Sequence, residues 1–264
     1  EIMSSDWSSD VCSSDLPFFI RNRIRNKVEE FAKDRGKTRV DMDDVNDLKQ
    51  QYLSKGGMQK EIKGYGLTAC FGNSGCPSRI LDTASLLDKM EAVLQEARLY
   101  TFLKNTVKGD LKFHHEFRVA VADCPNACSR PQITDMGVIA AAAPMVTDES
   151  CTGCLACVDT CRENSITVEE QTGHVHIDSD SCVNCGQCID ACPAGTIASG
   201  KSGYRVMLGG RLGRHPRLAM ELDGLWSEHE VIGILEKALA FYKAHSKDGT
   251  RFAHLLESPE QIFL

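Results

Sequence analysis

The sequence predicts an α+β fold: a strand–helix unit interrupted by a compact cysteine-rich insert and preceded by a small helical module. Three observations carry this. Residues 62–144 alternate strand-like and helix-like apolar patterns, and the same alternation resumes over residues 200–264. Between them, residues 145–199 hold eight of the chain's thirteen cysteines. Upstream, residues 17–55 place apolar residues at helical spacing.

Taken in order, residues 1–16 repeat a Ser-Ser-Asp unit with no apolar period, and Val11-Cys12-Ser13-Ser14-Asp15-Leu16 resembles a translated sequencing-library adapter. They are read as an adapter scar or a disordered Ser/Asp-rich tail and kept out of the fold, so Cys12 is not a ligand candidate and the true N-terminus is expected to be missing. In the helical module, Phe19, Ile20, Ile24, Val28 and Phe31 predict a first helix ended by Gly36, with Arg21, Arg23, Arg25 and Lys27 leaving one side basic. A short extended Arg39-Val40 follows. Asp41 then caps a second helix that turns Val45, Leu48 and Tyr52 inward.

In the larger unit, Gly66-Leu67-Thr68-Ala69 leads into a Cys- and Gly-rich loop. A long helix is predicted from Ser78 to about Leu103, and a strand from Phe117 to Ala122 runs into a second cysteine loop. Gly137–Ala143 reads as a buried strand. After the insert, Tyr204–Leu208 is a strand, and Ser227 with Glu230 forms a capping box before a final helix carrying Val231, Ile234, Leu235, Ala238 and Tyr242.

A net charge of −7 over 264 residues argues against nucleic acid as the main partner. No apolar run reaches the ~18 residues a membrane helix needs, and no secretory leader opens the chain. Nearly all the cysteines stand at C-x2-C or C-x3-C spacings, which suits metal ligation better than bridges between distant segments. Reduced thiols imply a cytoplasmic, low-oxygen setting.

Within the insert, Cys151, Cys154, Cys157 and Cys161 form C-x2-C-x2-C-x3-C, and Cys182, Cys185, Cys188 and Cys192, followed by Pro193, repeat it. Soft thiolates on short loops select iron–sulfur or zinc. The doubled run resembles a bacterial two-cluster ferredoxin, in which the fourth cysteine of each run ligates the other cluster. That implies one [4Fe–4S] cluster on Cys151, Cys154, Cys157 and Cys192, and another on Cys182, Cys185, Cys188 and Cys161. The first run has Arg162 where the second has its proline.

Four further cysteines stand outside the insert: Cys70 and Cys76 in ACFGNSGCP, and Cys124 and Cys128 in DCPNACSRPQITDMGVIA. With the later GYRVMLGGRLGRHPRLA, these loops resemble the sirohaem/[4Fe–4S] half of the nitrite and sulfite reductase family, with a two-cluster ferredoxin domain inserted as in the anaerobic and dissimilatory-type enzymes. The segment from Pro17 to Val45 resembles the small helical module of light-independent protochlorophyllide reductase subunits. The resemblance implies a reductase half-domain over residues 62–144 and 200–264, the inserted 2[4Fe–4S] ferredoxin-like domain over residues 145–199, and a third, sirohaem-coupled [4Fe–4S] cluster on Cys70, Cys76, Cys124 and Cys128. Gly72, Gly75 and Ala127 would let backbone N–H groups approach its sulfurs. Cys128 takes the family's bridging position to the sirohaem iron, or is an ordinary fourth ligand if no haem is held. Without Cys12, twelve cysteines make three sets of four.

Sirohaem carries many carboxylates, so Arg79, Arg130, Arg211, Arg214 and Arg217, beside the relevant loops, are candidate cofactor-binding residues. His114, His115, His174 and His176 read as surface or structural, and His215 as part of loop packing. The first pseudo-repeat of the family's reductases, with much of its cationic pocket, is not visible in this sequence. A partner subunit, a homo-oligomer or missing sequence would complete it. Two functions follow. In one, an electron-donor protein or subunit feeds the ferredoxin-type clusters, which pass electrons through the third cluster and the Cys128 sulfur to sirohaem, where a small oxyanion such as sulfite or nitrite is reduced. In the other, the chain is a non-catalytic three-cluster carrier without haem.

Overall fold

A computed structural model describes residues 18–53, 62–169 and 171–264, with side chains from residue 25 onward apart from residues 49–53 and 73. The chain divides into two compact units, residues 1–62 and 63–264. The adapter-like stretch with Cys12 lies outside the described residues, as do the side chains of Phe19, Ile20, Arg21, Arg23, Ile24 and Tyr52.

In the first unit, α1 (Phe18–Asp34) and α2 (Met42–Leu53) pack through Val28, Ala32 and Val40, with Val45 and Leu48 against them. Gly36 ends α1 in the left-handed region, φ 71°. Its N–H donates to Lys33 O at 2.8 Å and that of Lys37 to Ala32 O at 3.0 Å, which satisfies two terminal carbonyls. Asp41 caps α2 as expected. The Asp44 N–H donates to Asp41 Oδ1 (3.0 Å) and the Asp41 N–H to Asp44 Oδ2 (3.1 Å), a reciprocal box built from two aspartates. Arg39-Val40 belongs to no helix or strand, and among the described residues of this unit no strand pairs with it.

The larger unit is built on a five-stranded sheet. Its strands are β1 (Tyr65–Ala69), β2 (Phe117–Ala122), β3 (Met136–Val146), β6 (Ile197–Leu208) and β7 (Met220–Glu221), in that spatial order. Between β1 and β2 lie α3 (Ala84–Glu96) and α4 (Leu99–Thr106). The insert contributes α5 (Ala156–Thr160), β4 (Ile166–Val168), β5 (Val175–Ile177) and α6 (Gln187–Ala191), and the chain closes with α7 (Glu228–His245) and α8 (Phe252–Leu255). β1, β2 and β3 run parallel, so the loops after β1 and β2 leave from the same edge of the sheet. Those are the Cys70–Cys76 and Cys124–Cys128 loops.

β3 and β6 form a long antiparallel ladder that runs from Met136↔Leu208 to Val146↔Ile197, past the end of β2. The insert hangs from its tip. Its base is fixed by the Thr147 N–H to Thr196 O (2.8 Å) and the Thr147 hydroxyl to Gly195 O (2.8 Å). The strands therefore reach three residues or so beyond the apolar Gly137–Ala143 core at one end, because backbone pairing continues after burial stops.

The single helix expected over Ser78–Leu103 is two helices. Arg98 breaks it in the left-handed region (φ 47°, ψ 43°). The backbone of Gly64 passes the break so closely that a Cβ there would lie 2.3 Å from Tyr100 N. The bend keeps Leu86, Met90, Leu94, Leu99 and Leu103 all buried. Residues 78–83 do not join α3 because they run back along the cysteine loop, where the Ile80 N–H donates to Asp123 O (2.9 Å). The final helix starts as read: the Ser227 N–H donates to Glu230 Oε2 (2.7 Å) and the Glu230 N–H to Ser227 Oγ (3.4 Å). Its Tyr242 packs edge to face on Phe252 and at a tilt on Phe117. No described helix is long and apolar enough to cross a membrane.

Candidate metal centres

The two cysteine runs of the insert are folded alike. Gly153 and Asn184 occupy the same place in their runs and both have positive φ, 68° and 57°. So do Leu155 and Gly186 (59° and 73°), and Asn164 and Gly195 (51° and 73°). Each run therefore coils through the same left-handed turns and enters a five-residue helix, α5 or α6. Asn tolerates this conformation and Gly adopts it freely, whereas Leu155 is an uncommon residue there. The two helices face each other over a core of Cys157, Cys188, Ile166, Val175 and Ile197.

Proximity then sorts the thiols. Burial pushes the Cys157 thiol up, and the charges of Cys192 and Cys151 push it further. The Cys182 thiol is raised by burial and then by Cys185 and Cys161. Cys188, pushed up to about 11, owes this to burial and then to Cys185, Cys182 and Cys161. Cys161 thus stands with the second run and Cys192 with the first. Outside the insert, burial raises Cys124, with Cys128, Cys70 and Cys76 adding to it. All twelve described cysteines are free.

Backbone N–H groups are aimed at several of these sulfurs: Gly72 (3.4 Å) and Asp123 (3.3 Å) at Cys70 Sγ, Gly153 at Cys151 Sγ (3.4 Å), Ser165 at Cys161 Sγ (3.3 Å) and Ile197 at Cys192 Sγ (3.4 Å). At Cys192, donation from Ile197 is the main reason its thiol is lowered. Gly72 therefore does what its smallness suggested. Gly75 and Ala127 do not: their N–H groups donate to Gly72 O and Cys124 O, both at 3.1 Å. There the backbone of Asn126 is the group that counters the rise of the Cys124 thiol.

No group of three or more His, Cys, Asp or Glu among the described residues is arranged to hold a single metal ion. The donor set instead fits a larger soft centre. The cysteine loops offer soft sulfur donors, and backbone N–H groups already face Cys70, Cys151, Cys161 and Cys192. A cavity of about 120 Å³ joins two of the sets. Cys161, Cys182, Cys185 and Cys188 line it together with Cys124, Pro125 and Asn126. β3 supports this junction, with the Ala142 N–H donating to Asn184 O at 2.8 Å.

Of the candidate cations, Arg79 lies 3.6 Å from Asp82. Arg130 and Arg214 are exposed and make no ion pair among the described residues. Arg211 and Arg217 are committed to backbone. Arg211 donates to His215 O (2.9 Å) and Ala253 O (2.8 Å), and Arg217 to Gly209 O (2.9 Å), Leu256 O (3.0 Å) and Ala253 O (2.7 Å). They shape the Gly209–Arg217 loop, which is tied to the segment after Cys128 by the Ala219 N–H to Gln132 O (2.7 Å). Cys128 itself is exposed, whereas Cys124 is buried and Cys70 and Cys76 are intermediate. His215 is exposed in that loop, and His114 and His115 stack edge to face before β2.

Thiols in fours, on turns that present N–H groups to sulfur, define an iron–sulfur protein. Residues 65–258 match the nitrite and sulphite reductase 4Fe-4S domain family, and the chain belongs to that family. Residues 13–49 match the proto-chlorophyllide reductase 57 kD subunit family. Among curated proteins the chain is similar to the coenzyme F420-dependent sulfite reductase of Methanocaldococcus jannaschii, 32% identical over 69% of this chain and 27% of that protein. It is also similar to an anaerobic sulfite reductase subunit of Salmonella typhimurium, 29% identical over 46% of this chain and 29% of that one. The chain thus spans less than a third of the length of either relative. In fold it resembles the crystal structure of dissimilatory sulfite reductase I, with a TM-score of 0.50 at 16% identity over 74% of this chain and 51% of that one.

Proposed function

We propose that this chain is the electron-relay and cofactor-holding part of a sulfite- or nitrite-reducing enzyme, with three [4Fe–4S] clusters and sirohaem. The observation that supports the reading is that Cys161 lies near Cys182 and Cys188, Cys192 near Cys157, and Cys70, Cys76 and Cys128 near Cys124, with Cys154 assigned by its place in the first run. An exchanged fourth ligand is the ligation pattern of two-cluster ferredoxins. When bound, the clusters would supply one-electron carriers, and sirohaem the iron at which a small oxyanion is reduced.

The chain's own residues have distinct tasks in this reading. Cys161, Cys182, Cys185 and Cys188 hold the ferredoxin-type site nearest the third one, because they share a cavity with Cys124. Cys151, Cys154, Cys157 and Cys192 then form the outer site, where an electron-donor protein or subunit delivers. Cys128, the exposed thiol of its four, is free on one side for a further bond to haem iron. Arg130 and Arg214 are the cations left to meet haem carboxylates, with Arg211 and Arg217 shaping the loop that carries Arg214. The relative named as a subunit, and the short span of both relatives that this chain covers, support a partner chain that completes the substrate pocket. The commitment of Arg211 and Arg217 to carbonyls is the observation on which a second reading rests, that of a three-cluster carrier without haem.

Cys128→Ser separates the two. In the reductase reading the variant loses the spectroscopic coupling of cluster to haem and loses reduction of sulfite and nitrite by an artificial low-potential donor, while both ferredoxin-type clusters persist. A wild-type protein with iron and sulfide that shows no chlorin-type absorption band, and takes up no added sirohaem, would leave the three-cluster carrier as the function.

A further inference from the structure

One buried carboxyl group stands inside the third cysteine site without being one of its four thiols. Asp123, between the end of β2 and Cys124, is 1% exposed. Its N–H donates to Cys70 Sγ at 3.3 Å, and its Oδ1 accepts from the Thr83 hydroxyl at 2.8 Å. Its Oδ2 is buried and has no hydrogen-bond partner among the described residues. That oxygen faces Gly72, where a Cβ would lie 2.1 Å from it. The Gly72 N–H in turn donates to Cys70 Sγ at 3.4 Å. The free carboxylate oxygen, Gly72 and the Cys70 sulfur are therefore immediate neighbours.

A fixed negative charge in a poorly solvated site disfavours adding an electron beside it, and a cluster's potential follows the local net charge and the hydrogen bonds to its sulfurs. The Thr83 hydroxyl holds one carboxylate oxygen and so leaves the other turned toward the Cys70 loop. We propose that Asp123 is a positioning residue that sets the reduction potential of the centre held by Cys70, Cys76, Cys124 and Cys128, its N–H fixing the Cys70 sulfur and its buried carboxylate holding the potential low. This rests on the iron–sulfur reading of that site.

The test is a redox titration of the anaerobically purified full chain, followed by electron paramagnetic resonance, for wild type and Asp123→Asn. Asparagine keeps the shape and an acceptor for Thr83 and removes the charge. The third centre's midpoint should rise enough to change its oxidised-to-reduced ratio about tenfold at fixed potential, about 59 mV for a one-electron couple. The two ferredoxin-type centres should not move and report that the chain is folded. An unchanged midpoint would overturn the proposal alone. Loss of the third centre from both Asp123→Asn and Asp123→Ser, with the other two loaded, would also overturn it, in favour of a purely structural role. A wild type without iron at this site would sink the iron–sulfur reading itself, and the proposal with it.

Discussion

Cys161→Ser is expected to strip iron from the centre of the second cysteine run and leave that of its own run loaded; Cys192→Ser should do the reverse. The reason is the placement of the two thiols. Cys161 follows α5 yet contributes its charge to Cys182 and Cys188, while Cys192 follows α6 yet acts on Cys157. Three cubanes of four would give about twelve iron atoms per chain, and each single variant about eight. Double variants make the pairing visible through non-additivity. Cys161→Ser with Cys188→Ala should cost no more iron than either alone, because both belong to one centre. Cys161→Ser with Cys157→Ala should empty two. Iron analysis with acid-labile sulfide checks all four proteins, and additive loss in the first pair would contradict the crossed arrangement.

The largest effect on stability is expected at Asp135. It is 1% exposed, and its carboxylate accepts from the Arg118 N–H (2.9 Å) and the Ala253 N–H (3.3 Å), with the Arg251 guanidinium 3.8 Å away. Its carbonyl accepts from the Gly209 N–H at 2.8 Å. One residue thus joins β2, the start of β3, the Gly209–Arg217 loop and α8. Asp135→Ala leaves the buried Ala253 N–H and the part-buried Arg118 N–H without this acceptor, and the Arg251 guanidinium, 20% exposed, without its counter-charge. Breaking such a set by removing one member costs about 3–5 kcal/mol. Asp135→Asn keeps the shape and one carboxyl-type acceptor and should cost less. Urea unfolding of the two variants checks this, and near-equal midpoints for wild type and Asp135→Ala would refute the hub.

The cysteine loops were legible in the sequence because spacing is local: C-x2-C places neighbouring thiols on one turn whatever surrounds it. The exchange of Cys161 and Cys192 came from the likeness of the doubled run to two-cluster ferredoxins, and the iron analysis above tests it. Strands such as Gly137–Ala143 were legible because burial on both faces leaves a continuous apolar run. What escaped depends on contacts between distant segments. The apolar period runs unbroken through Arg98, so nothing local announces a helix break there; the approach of Gly64 does. Arg211 and Arg217 looked like free cations, since the carbonyls that hold them belong to residues about forty positions away. Asp123 and Asp135 carried a signal that was readable in part, namely an acidic residue closing or opening a largely apolar strand. Their partners, Thr83 and Ala253, could come only from the fold.

Metal analysis of the anaerobically purified full chain, with acid-labile sulfide and the absorption spectrum taken on the same sample, tests the central claim most directly. Three four-cysteine centres and sirohaem predict about twelve cluster irons with matching sulfide, plus a chlorin-type band. Zinc in place of iron, with no sulfide released on acid treatment, would contradict the account at its root.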